Sequence, residues 1–177
     1  NKAETRTMLP VVQSFMAAHH LPEVTVVADA GMMSEQNLKE LEDAGLHFIV
    51  GARIPEVPYS VKEWQRLHPD EPIPNGHLFT QPLIMGTKAD LRRRTVFYQY
   101  SHDRGRRTLK GIETQVAKAE KAVAGQASVK RNRFVLLTGA TKSVNRDLEA
   151  KARALAGLKG YVTNIDGATS EFVLGAY

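Results

Sequence analysis

Asp29 is the acidic residue of this sequence best placed to do chemistry. It closes the β-branched run Val24-Thr-Val-Val-Ala28 and precedes Ala30-Gly31, where the chain can turn sharply. In open α/β sheets, ligands gather beyond the carboxyl ends of the strands. A carboxylate there is a hard oxygen ligand suited to Mg²⁺ or Mn²⁺, which keep several waters and use few protein groups. Asp at a strand end is also a common turn former. The local pattern leaves both roles open.

A second group is basic. Arg104, Arg106, Arg107 and Lys110 fall on or next to one helical face by spacing, where they would serve either as phosphate contacts or as ordinary solvated helix surface. The six histidines, at 19, 20, 47, 68, 77 and 102, never pair at i, i+4, and no HExxH occurs, so they read as surface or half-buried side chains. P-loop, dinucleotide-binding and G-x-S-x-G motifs are missing, as is the D-x-D continuation of an aspartyl phosphotransferase.

The elements that must carry these groups follow an α/β rhythm. An apolar stripe over residues 4–20 (Met8, Val11, Val12, Phe15, Met16, His19) predicts a helix, with Pro10 tolerable only near its first turn. The run 24–29 predicts a buried strand. Ser34 can cap a helix to about Ala44, with Leu38 and Leu41 inward and Gly45 as its stop. His47 to Gly51 is a second short strand, giving a parallel pair in a covered sheet. Six prolines then crowd residues 55–82, around a short helix at 61–67 that contains Trp64.

Strands are predicted at 77–80 and 95–100, followed by a long helix from Ser101 to Ala124. Its seam is Leu109, Ile112, Val116, Ala119 and Val123. Further elements are a strand at 134–138, a helix capped by Ser143 and running to Ala156, a strand at 160–165, and a helix from Thr169 to Tyr177.

Composition sets outer bounds. The 177 residues suffice for a hydrophobic core. Cysteine is absent, which removes disulfide frameworks and thiolate metal sites and suits a reducing, cytoplasmic setting. No apolar run is long enough to span a membrane. The net charge is +5, unevenly spread. Residues 91–133 hold 12 of the 24 Lys and Arg but 3 of the 19 Asp and Glu, so a basic arm joins a mildly acidic body. The chain opens on Asn, which suggests a piece of something longer.

Three blocks resemble insertion-sequence transposases of the DDE class. Asn1-Lys-Ala-Glu4, a helix, Val24-Thr-Val-Val-Ala-Asp-Ala-Gly-Met-Met-Ser-Glu-Gln-Asn-Leu38 and Gly45-Leu-His-Phe-Ile-Val50 resemble that family's second-aspartate segment. Tyr98-Gln-Tyr-Ser-His-Asp-Arg-Gly-Arg-Arg107 and the Lys- and Ala-rich helix after it are similar to its inserted region. Gly157-Leu-Lys-Gly-Tyr-Val-Thr-Asn164 and the helix reaching Tyr177 resemble the approach to its final catalytic helix.

The resemblance implies an α/β, RNase H-like core with an inserted α+β subdomain. Residues 1–52 would belong to the core, 53–165 to the insertion and 166–177 to the start of the last core helix. It implies bacterial DNA cleavage and strand transfer with Mg²⁺ or Mn²⁺, with transposon ends and target DNA as partners and a possible homo-oligomer. Asp29 matches the second catalytic acid and metal ligand, and Tyr177 the Tyr that opens the family's Tyr-Arg-Glu-Lys signature. The other two acids would lie outside this chain, which would therefore be inactive alone. Two other readings stand beside this one. One is a non-catalytic DNA-binding or interaction protein, such as a decayed transposase remnant; the other is an unrelated metal-dependent nuclease.

Overall fold

A computed structural model describes residues 8–87, 90–128, 131–139 and 141–177. In chain order the elements are α1 (Met8–His19), β1 (Thr25–Ala28), α2 (Glu35–Asp43), β2 (His47–Ala52), α3 (Tyr59–Leu67), β3 (Leu78–Met85), β4 (Arg92–Tyr100), α4 (His102–Val123), β5 (Val135–Thr138), β6 (Thr141–Val144), α5 (Arg146–Ala154), β7 (Leu158–Thr163) and α6 (Ser170–Ala176). The protein is mixed α/β, as the alternation of sequence periods predicts. Residues 4–7 of the expected first helix lie outside the described residues.

The chain forms two compact units. The first comprises residues up to Arg53, Leu78–Tyr98 and Lys159–Tyr177; the second comprises Ile54–His77 and Gln99–Leu158. The segment 53–165, expected from sequence as one insertion, thus contributes β3, most of β4 and most of β7 to the first unit. Pairing with β2 draws β7 there, a long-range contact that no local pattern encodes.

The first unit holds a five-stranded sheet in the order β1-β2-β7-β4-β3. β1 runs parallel to β2, with Val26 opposite Phe48, and β7 runs antiparallel to β2, with Val50 opposite Val162. β-branched and aromatic residues suit such pleated, covered strands. Phe48 and Ile49 are fully buried, and Val50 nearly so. Each such side chain contributes about 1.5–3 kcal/mol by leaving water.

Helix α2 begins at Ser34 in a capping box: the Ser34 hydroxyl accepts from Asn37 N–H at 3.2 Å, and Asn37 Oδ1 accepts from Ser34 N–H at 3.1 Å. Leu38 and Leu41 are buried, as their spacing predicts. Helix α1 differs from its predicted stripe. None of its residues is buried, and Val11 and Phe15 are exposed, while Leu9, Val12 and Met16 are half-buried. The apolar groups encircle the helix, so periodicity alone could not choose the inward side.

In the second unit Ile112, Val116 and Ala119 of α4 pack with Phe134, and Leu148 and Ala152 of α5 lie against this cluster. The seam of α4 ends on buried Ala122 rather than Val123. Ser143, expected as a helix cap, instead lies in β6 opposite Leu136. The cap is Asn145, whose side chain accepts from Leu148 N–H at 2.9 Å. Hairpin pairing claims the four residues before Asn145. Gly157 turns the chain back with φ +92°; a Cβ there would sit 2.5 Å from the Tyr100 ring. No residue but glycine fits.

Candidate functional site

Asp29 follows the last residue of β1 and is exposed. Its carbonyl accepts from Met32 N–H at 3.1 Å, closing a turn in which Gly31 takes φ +100°. A positive φ at the third position of a turn selects glycine. The strand therefore delivers Asp29 to the sheet's carboxyl end and the turn holds it there, so the two roles left open by the sequence are compatible.

Tyr177 reaches the same place from the other end of the chain. Helix α6 is capped by Thr169, whose hydroxyl accepts from Phe172 N–H at 3.2 Å. Its fully buried Val173 packs with Ile49, Phe97 and Tyr161, and one turn later Tyr177 lies against that cluster. The Tyr177 hydroxyl donates to Asp29 Oδ1. Burial, reinforced by that hydrogen bond and the Asp29 charge, pushes the phenol up to about 12. Gly51 makes the approach possible, because a Cβ there would meet Ala30 N at 2.7 Å and the Tyr177 hydroxyl at 2.9 Å.

Two cations flank this pair. Lys159, in β7, holds its ammonium 4.2 Å from the Tyr177 ring centre and 5.1 Å from that of Tyr161. The two rings meet edge to face at 4.8 Å and 74°. Arg53 follows β2, and its Nη2 lies 3.3 Å from where a Cβ on Gly31 would stand. The sequence assigns no role to Lys159, which stands inside the Gly157–Asn164 block, or to Arg53; tertiary pairing places the first against the Tyr177 ring and the second beside Gly31.

Asn164 was also missed. Its Oδ1 accepts from Phe48 N–H and its Nδ2 donates to Leu46 C=O, both at 2.9 Å, so a side chain continues the β2–β7 ladder past β7. Thr163 donates to Phe48 C=O at 2.6 Å beside it. The signal available in sequence was an amide directly after a β-branched strand end.

The basic residues of α4 divide by partner. Arg104 donates to Gly157 C=O at 3.2 Å and Gln99 C=O at 3.5 Å, tying down its own unit. Arg106 pairs with Asp103, and Arg107 Nε donates to Asp103 C=O at 3.3 Å. Lys110 is exposed.

Asp29 fits a hard divalent cation as a single oxygen ligand. Among the described residues no three His, Asp or Glu side chains converge as a complete cage would need. A cleft of about 350 Å³ lies in the first unit between β3, β4 and the end of β7. Of its lining groups, Arg94 is bonded to Glu35 and Glu42 and both ends of the Asn164 amide are used, while Arg93 and Asp166 bring one charge of each sign. No helix among the described residues is long and apolar enough to cross a membrane. No known protein family, curated protein or solved structure matches the chain.

Proposed function

We propose that this chain is part of a DDE-type transposase with an RNase H-like core, in which Asp29 is one of the acidic residues that hold Mg²⁺ or Mn²⁺ for cleavage and strand transfer of DNA. The observation that carries the reading is the meeting of Asp29 and Tyr177, separated by 148 positions in sequence. Both were singled out by the same resemblance, and they share one hydrogen bond at the carboxyl end of a strand. Bound divalent ions would supply Lewis-acid activation of a water or a DNA 3′-hydroxyl at a phosphodiester. The chain's own contribution is positional: β1 and its turn aim the carboxylate, and Tyr177 fixes the orientation of one of its oxygens. The remaining acids of the cage belong outside residues 1–177 in this reading. A non-catalytic remnant of such an enzyme would keep the same fold and lose only the chemistry.

Manganese titration followed by amide NMR tests the assignment. Paramagnetic broadening should begin at Asp29, Ala30 and Gly31 and vanish in Asp29→Asn. Broadening centred elsewhere, or unchanged in the variant, would falsify Asp29 as a metal ligand.

A further inference from the structure

We infer that Lys159 and Arg53 form a phosphate-holding rim beside Asp29 that takes a backbone phosphodiester of DNA; the inference rests on reading this place as a site of phosphodiester chemistry. Two observations carry it together: both cations border the Asp29–Tyr177 pair, and neither ends on a carboxylate, whereas among the other described Lys and Arg of the unit Arg93 alone shares that lack. Lys39 ends on Asp90 at 2.8 Å, Arg92 on Glu42, Asp43 and Asp90, and Arg94 on Glu35 and Glu42. Among the described residues, neither Lys159 nor Arg53 has a carboxylate partner.

Lys159 is nevertheless held in place. The faces of Tyr161 and Tyr177 attract its ammonium without neutralising it. Lys159 is half-buried and held against two rings, so its rotamers are already restricted, and less freedom is lost when a ligand docks. Arg53 is exposed with its Nη2 close to Gly31, and a guanidinium fork can meet two oxygens of a phosphate. An anionic diester approaching Asp29 meets a like charge. One cation on the β7 side and one on the turn side offset that repulsion and fix where the diester lies. A neutral ligand could accept hydrogen bonds from either group but would lack the charge attraction that favours an anion.

The 177-residue chain and a short fluorescent DNA duplex give the test, read as anisotropy over a series of KCl concentrations. Each lost phosphate contact should reduce the slope of log K against log salt by about 0.9. Lys159→Met and Arg53→Gln are each expected to lose about that much, and Lys159→Arg to keep the wild-type slope. Arg53→Gln changes an exposed side chain, so the test survives if Lys159→Met folds poorly. Absence of duplex binding, or slopes in both neutral variants equal to wild type, overturns the inference. Manganese broadening at Asp29 separates the failures: if it persists, the rim alone falls; if it too is absent, the transposase reading falls with it.

Discussion

At the Asp29–Tyr177 pair, a phenol donates to a carboxylate, and burial and that carboxylate both push the tyrosine's pKa the same way. Burial raises its pKa first, Asp29 adds to the rise, and the result is about 12. The ordinary value in an unfolded chain is about 10. A raised folded value means that stability from this group is fully present below about pH 10 and is lost as pH rises through about 12. Ultraviolet titration of the phenolates should therefore show Tyr177 ionising late. Asp29→Asn should bring that midpoint down, though not to the ordinary value, because burial remains. Tyr98, raised by burial alone, should stay where it is. Superimposable curves for wild type and variant would show that the carboxylate does not face the phenol in solution.

Among the elements, the joining of α2 to β4 sets the cohesion of the first unit. Arg94 is 1% exposed at its side chain, and Glu42 is 11% exposed. Arg94 Nε donates to Glu42 at 2.8 Å, and its Nη atoms reach Glu35 at 2.8 and 3.0 Å. Burial works against the guanidinium, and the hydrogen bonds it donates to Glu42 and Glu35, with their charges, together outweigh it, so its pKa rises. Removing one partner of a buried pair leaves the other charge uncompensated, which typically costs about 3–5 kcal/mol. Arg94→Met should fall near the lower end, about 3 kcal/mol, because Glu35 is 44% exposed and can return to water. Urea unfolding measures it; a loss below about 1 kcal/mol would mean the network is solvated. Adding Glu42→Gln should recover part of the loss.

Across the whole molecule, charge and strand order bear on activity and association. β1 and β3 are the two ends of the five-stranded sheet. β3 carries Pro82, which has no N–H to offer a new strand, whereas β1 has no such guard and leaves Val27 42% exposed. A single carboxylate cannot hold two divalent ions against their hydration. Purified residues 1–177 with supercoiled plasmid and Mg²⁺ or Mn²⁺ should therefore leave the plasmid intact. Nicking that disappears in Asp29→Ala would mean the chain assembles a complete cage by itself, for instance by bringing two copies together.

Local chemistry made much of this protein legible from its sequence. A β-branched run ending in Asp-Ala-Gly specifies a strand that presents a carboxylate at a turn, and Ser34 with Leu38 and Leu41 specifies a capped, one-sided helix. These patterns depend on neighbours within a few residues, which is where backbone propensity and side-chain spacing act. Strand order, the partition of 53–165 between two units, the cap at Asn145 and the gathering of Asp29, Tyr177, Lys159 and Arg53 were settled only in three dimensions. Each depends on which apolar face or strand edge finds which distant partner, and a cation held by two aromatic rings has no signature along the chain.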